Sequence, residues 1–227
     1  AMAPGQGFVS LGTSGVIFRV SAQFDPAPEQ AVHAFAHALP QRWHQMSVML
    51  SAASALGWLA RLSGTPETQL SAMVAAMPLA RRMQAPLFLP YLQGERTPHN
   101  NPLLTANLSG LQAGHELADL AYAVMEGVGL GLLDGWRAMG QTGPSAVSLA
   151  LVGGGARSDA WAQLLSSALQ CPLHRSAQAP VAAALGACAQ AWPVRPLRVR
   201  HKAVTQLRRA SKREGFCRFI FVSGCGW

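Results

Sequence analysis

Leu149-Ala-Leu-Val-Gly-Gly-Gly-Ala-Arg-Ser-Asp-Ala-Trp161 reads as a buried strand, a glycine turn and the start of a helix. A four-residue apolar run bounded by glycine fits a strand covered on both faces. Consecutive glycines let a flat ring or a phosphate approach the backbone. The helix start behind them offers unpaired amide hydrogens and positive potential. Ser158 is placed to cap that helix. Asp159 falls in its first turn, where a carboxylate suits the dipole or accepts from a base amine. The stretch is not a dinucleotide fingerprint, because the G-x-G-x-x-G spacing and the later acidic residue are missing. It is not a P-loop, because no Gly-Lys-Ser/Thr ends it. Taken alone it fits either a nucleotide loop or a plain strand-to-helix turn.

A second bend, Leu11-Gly-Thr-Ser-Gly15, lies within Phe8 to Val20, which reads as two short strands. Gly12 and Gly15 permit a tight turn, and Thr13 and Ser14 add hydroxyl donors, so the bend either cradles a phosphate or is an ordinary hairpin turn. Together the two bends have the chemistry to grip opposite ends of one nucleotide, provided they converge in space. A side chain added at Gly155 is then expected to exclude the nucleotide.

Around these bends the chain alternates. Val32 to Leu39 and Arg42 to Val48 read as a hairpin turning at Pro40-Gln41. Met46 to Leu62 is the most apolar long run. It reads as a buried core helix ending near Gly64-Thr-Pro66, too short and too interrupted by Ser47, Ser51, Ser54 and Arg61 to span a membrane. Thr68 to Met83 is helical with a break at Pro78. Ala85 to Pro90 is a short strand leading into the loop Tyr91 to Pro102, which belongs at the surface or in a cleft. Glu116 to Met139 is a helix with Leu117, Leu120, Ala121, Val124 and Val128 on one stripe. Its glycines, Gly127, Gly129, Gly131 and Gly135, each cost about 1 kcal/mol of helix propensity, which points to neighbours packed against the backbone. Val147 to Val152 is a strand, Ser158 to Leu169 a helix, Leu173 marks a short strand, and Val181 to Ala191 is an alanine-rich helix. Strands first, then alternating helix and strand, predict an α/β domain with a mixed sheet.

Half of the 227 residues are apolar and 12% are charged, a composition for a packed core. Residues 1–194 balance nine Arg against nine Asp and Glu, so the basic stretch after them carries the whole net charge of +8. We therefore divide the chain into 1–192 and an unassigned basic tail, 193–227. The tail's aromatic residues sit in one block rather than between the basic ones, which disfavours nucleic acid as a partner. Cys171, Cys188, Cys217 and Cys225 form no CxxC pair, which disfavours disulfides and zinc and fits a reducing cytoplasm. No secretory signal opens the sequence. His33 and His37 would lie about 13 Å apart along a strand, too far to share a metal ion, and with His44 they read as core or surface residues. No G-x-S-x-G elbow is present.

Three blocks resemble the carboxy-terminal half of the FGGY sugar kinases, with most likeness to their D-xylulokinase branch. The first runs from Leu11-Gly-Thr-Ser-Gly15 through His37-Ala-Leu-Pro-Gln-Arg-Trp-His-Gln-Met-Ser-Val-Met-Leu-Ser-Ala52. The second is Phe88-Leu-Pro-Tyr-Leu-Gln-Gly-Glu-Arg-Thr-Pro-His-Asn-Asn-Pro102, followed by Gly110-Leu111, Asp119-Leu120 and Ala123-Val-Met-Glu126. The third is Gly153 to Trp161, continuing to Ala183-Ala-Leu-Gly-Ala187. The resemblance covers residues 7–191 and implies the actin-like, ribonuclease H-like ATPase fold. It implies that Gly12 and Thr13 meet the β- and γ-phosphates of ATP, that Gly94 lies near the phosphates, that Gly154 and Gly155 form the adenosine loop, and that Asp159 stands beside the adenine. It also implies MgATP as phosphoryl donor and D-xylulose as acceptor. The family's amino-terminal sugar-binding domain, and its catalytic aspartate before the Gly-Thr-Ser-Gly bend, have no counterpart in these residues. No catalytic residue or metal ligand is therefore nominated, and the 227 residues alone are expected not to turn over. A non-catalytic remnant and a nucleic-acid module acting through the tail are the rival readings, and a homodimer stays open. The tail does not match the family's end, which raises the expectation of a shifted reading frame after Trp192.

Overall fold

Strand β1, Gly7–Leu11, turns its odd residues inward, and Val9 and Leu11 are fully buried. It pairs antiparallel with β2, Gly15–Ser21, in a register that sets Leu11 opposite Gly15 and leaves Gly12–Ser14 as the bend. Strands β3, His33–Ala36, and β4, Trp43–Met49, form the second hairpin, with Gln41 left-handed at its turn. Beyond a separate hairpin of β5, Leu87–Leu89, and β6, Asn107–Ser109, the chain returns to the main sheet as β7, Leu149–Val152, and β8, Leu173–His174. The sheet order is β3-β4-β2-β1-β7-β8, mixed as expected, with β7 parallel to both β1 and β8. The structure is a computed structural model and describes residues 3–143 and 147–175. The predicted helix over Val181 to Ala191 and the tail from residue 193 lie outside the described residues.

Among the described residues five α-helices accompany the sheet: α1, Ala53–Ser63; α2, Glu67–Ala76; α3, Leu79–Arg82; α4, Leu117–Ala138; and α5, Asp159–Leu169. The inward residues of the sheet, among them Val9, Leu11, Ile17, Met49, Leu149 and Leu151, share one core with Leu56, Leu70, Val124, Leu132, Trp161 and Leu165 of these helices. The core helix expected over Met46 to Leu62 is corrected here: Met46 to Met49 complete β4, and the helix starts at Ala53. Its N-cap, Ala52, has no side chain able to cap, so nothing local marks the start. Backbone carbonyls of the first bend, beside the end of β4, cap it instead.

Helix α4 runs through the middle of the core. Its buried positions go beyond the predicted stripe to include Met125, Gly127, Gly129, Gly135 and Trp136. The glycines do meet close neighbours: β-carbons built on Gly127, Gly129, Gly131 and Gly135 would lie 2.2 to 2.9 Å from Phe88, Leu164, Met49 and Ser47. The helix begins with a reciprocal capping box between Glu116 and Asp119. Arg81 of α3 closes on both, donating to Asp119 from Nε and Nη2 at 2.8 Å and to Glu116 at 2.6 Å.

Arg81 holds the buried Asp119 carboxyl down to about 2, chiefly by hydrogen bonding. The stabilisation is complete above the ordinary carboxylate value and is lost as pH falls through the depressed one. Arg81→Gln removes the cation from a buried carboxylate. The acid limb of thermal stability is therefore expected to move to higher pH, while Arg61→Gln, at an exposed position, leaves it in place. Superimposable pH–stability curves for wild type and Arg81→Gln would contradict this role.

The loop 91–102 covers an edge. Strand β3 pairs with β4 only through Met46. Past that point Val48 N donates to Thr97 Oγ1 and the Val48 carbonyl accepts from Thr97 N, both at 3.0 Å, and Leu50 N donates to Glu95 Oε1 at 2.9 Å. Thr97 Oγ1 donates in turn to the Ala31 carbonyl. Gly94 makes this docking feasible: it is left-handed at φ +72°, and a β-carbon there would lie 2.6 Å from Pro102 Cα.

Candidate functional site

The two bends meet because β1 and β7 are parallel neighbours. Their carboxyl ends lie side by side, with Ser10 opposite Val152, so the turn after each strand emerges at the same sheet edge. Open α/β sheets receive ligands at such an edge. The contact is close: Gly153 is left-handed at φ +95°, and a β-carbon on it would lie 2.6 Å from the Leu11 carbonyl oxygen.

Each bend is anchored on one side and open on the other. Gly12 O accepts from Ala53 N at 2.8 Å, and Thr13 O accepts from Ala52 N, Ser54 N and the Ser54 hydroxyl. The carbonyls thus satisfy the start of α1, and the amides of Thr13 and Ser14 take no partner among the described residues. Thr13 and Ser14 are also exposed. Across from them Gly154–Arg157 form one 3₁₀ turn, and Ser158 caps α5 by accepting from Trp161 N. Gly154 faces open space: a β-carbon there would find only Arg157 Nη2, at 3.9 Å.

A groove of about 670 Å³ lies between the bends. One wall is Gly12, Thr13, Ala53 and Ser54; the facing wall is Gly154, Gly155, Arg157 and Ser158. Leu56 and Trp161 line it between them. Trp161 is fully buried, and its indole Nε1 donates to the Met125 carbonyl at 3.0 Å, which locks the ring. The third wall is α2, through Glu67, Thr68 and Ser71. The groove falls within the size range of small-molecule sites. It offers the free amide and hydroxyl of Thr13 at one end, glycine backbone opposite, and apolar surface between, which suits an anion joined to a flat apolar group.

Of the residues singled out from sequence, Gly12, Thr13, Gly154 and Gly155 line this groove. Gly94 does not, and sits against Pro102 in the edge-covering loop. Asp159 does not either: it is the first residue of α5, and its exposed carboxylate pairs with Arg175, which also donates to the Ala156 carbonyl. Gly155 has a different reason to be glycine than the one expected. A β-carbon there would lie 2.6 Å from Leu11 Cδ2 and 2.7 Å from Leu11 Cγ, inside the core. A side chain at this position therefore meets Leu11 in addition to the groove that Gly155 lines. The α2 wall escaped sequence reasoning. Its only trace is the spacing of Glu67, Thr68 and Ser71, which puts them on adjoining faces of one helix.

His44 stacks on Phe18 at 4.4 Å and stands edge-on to His37 at 6.0 Å. Burial, and then the neighbouring His37, push its pKa below the ordinary imidazole value. This aromatic cluster lies apart from the residues that line the groove.

The family model described as "FGGY family of carbohydrate kinases, C-terminal domain" matches residues 7–192. The chain is 50% identical over 183 residues to a xylulose kinase of Escherichia coli K12, covering 80% of this chain and 37% of that protein. It is 47% identical to a xylulose kinase of Klebsiella pneumoniae, covering 81% of this chain and 38% of that one. Among solved structures, a xylulose kinase from Brucella ovis superposes with a TM-score of 0.77 at 41% identity, over 83% of this chain and 38% of that one. The chain therefore spans less than two fifths of the length of these relatives.

Proposed function

The chain belongs to the FGGY family of carbohydrate kinases, with that family's actin-like ATPase fold, and from this premise we propose that residues 1–192 are the ATP-binding half of a kinase that phosphorylates D-xylulose. The phosphates of ATP lie against Gly12 and Thr13, and the adenosine lies along Gly154 and Gly155. The whole reaction moves the γ-phosphoryl group from MgATP to the sugar's terminal hydroxyl, giving D-xylulose 5-phosphate and ADP, in the cytoplasm. The convergence of two strand-end bends on one groove is the observation that supports this reading most directly.

In phosphoryl transfer the protein mainly positions the reactants and stabilises charge. The unpartnered Thr13 and Ser14 amides and the two hydroxyls are the donors suited to phosphate oxygens. Mg²⁺ enters with the nucleotide as part of the MgATP substrate. The oxygens of the triphosphate, with hydroxyl or water ligands, suit that metal's preference for oxygen. The sugar, and the base that orients its hydroxyl, are assigned to no residue of 1–192.

Gly154 is the position for a clean test. Gly154→Val puts a branched side chain into open space beside the groove. Stability is expected to stay within about 0.5 kcal/mol of wild type, and ATP affinity by calorimetry to fall about tenfold or more. Equal ATP affinity in the variant, or a wild-type chain that binds no ATP, would overturn the proposal.

A further inference from the structure

The α2 wall is not explained by the core, since Glu67 and Thr68 are exposed and still line the groove. Along α1 the groove takes in Ala53 and Ser54, and the Ser54 hydroxyl donates to Thr13 O at 2.7 Å. Gly57 lies about 4.5 Å further along that helix axis. There the Glu67 carboxylate rests over bare backbone: a β-carbon on Gly57 would lie 2.9 Å from Glu67 Oε1. Further along α2, the Ser71 hydroxyl is hydrogen-bonded to that of Ser158, joining α2 to the cap of α5. Polar groups of α2 thus stand along one side of the groove. The unused amide and hydroxyl of Thr13 stand at one end, and an acceptor-only carboxylate stands a helical turn away.

We propose that Glu67 is the ribose anchor of this groove, its carboxylate accepting hydrogen bonds from the vicinal hydroxyls of a ribonucleotide. The proposal rests on the ATP reading above. A ribose diol supplies two O–H donors, and charge-assisted hydrogen bonds to a carboxylate are stronger than neutral ones. The same negative charge repels a triphosphate, so it sets which end of the nucleotide lies at Thr13. An acid in the first turn of a helix also suits the dipole, but that contribution is blind to the nucleotide's sugar.

The test is calorimetric titration of the full chain and of Glu67→Ala and Glu67→Gln with ATP and with 2′,3′-dideoxy-ATP. Wild type is expected to prefer ATP by about tenfold or more, the usual size of a carboxylate–hydroxyl contact. In Glu67→Ala the two affinities are expected to converge through weaker ATP binding alone, with Glu67→Gln between. A purely structural role for Glu67 would shift both nucleotides together. If the preference survives in Glu67→Ala while ATP still binds, the ribose anchor is overturned and the ATP reading stands. If wild type binds neither nucleotide, both are overturned.

Discussion

Gly155→Val is expected to cost about 3 kcal/mol of stability with no nucleotide present, the upper range for overpacking a core. The added atoms enter the space of Leu11, which is fully buried at the end of β1, and the nearest would be 2.6 Å from Leu11 Cδ2. Leu11 cannot retreat easily, because it is fully buried in the core. The check is urea unfolding of Gly155→Val, of Leu11→Ala, and of the double variant. Leu11→Ala alone leaves a cavity and should cost roughly 2–5 kcal/mol. In the double variant the valine fills part of that cavity, so the losses should fall short of additive by about 1 kcal/mol or more. Additive losses would mean that the two residues do not share the space described here. A fully stable Gly155→Val that merely fails to bind ATP would restore the simpler idea of a side chain blocking the groove.

Gly127→Ala sets two effects of opposite sign against each other. Alanine in place of glycine within a helix gains about 1 kcal/mol of propensity. At this site the new methyl would lie 2.2 Å from the Phe88 carbonyl oxygen, a backbone atom of β5. Phe88 is itself pinned, buried and stacked on Trp58 at 5.8 Å. Relief requires α4 and β5 to part, so the clash should win, with a net loss of about 2 kcal/mol. Gly131→Ala on the same helix is the control. Its nearest obstacle is the Met49 methyl at 2.9 Å, the end of a flexible side chain. That variant should be neutral or slightly more stable than wild type. Denaturant midpoints that rank the two variants the other way round would refute this account of the helix glycines.

Local chemistry made some elements legible. The Gly12–Gly15 bend, the hairpin at Pro40-Gln41, the break at Pro78 and the Ser158 cap each carry their own signal in adjacent residues, and each stands where that signal puts it. Elements held by distant groups were misplaced or missed. Helix α1 begins at Ala53 because carbonyls 40 or so residues earlier cap it, a relation no window around Ala53 contains. Strand β6 is three exposed residues whose identity as a strand comes only from pairing with β5. The site divides in the same way. Both glycine bends were visible as turns, but their meeting depends on parallel pairing of β1 with β7. The α2 wall needed the fold to bring Glu67 and Ser71 to the groove. Gly155 shows the limit most plainly: its residue type was noticed, but the atom that demands it belongs to Leu11.

The adjacency of β1 and β7 also bears on how the chain matures. Its two partners enter the polypeptide about 140 residues apart, and contacts of such separation form slowly. The groove is therefore a late product of folding and cannot assemble on a stretch that lacks either strand. A nucleotide seated there would work as a clasp on two remote parts of the polypeptide. Its affinity would add to the stability of the whole domain, and amide exchange should slow deep inside as well as beside the ligand.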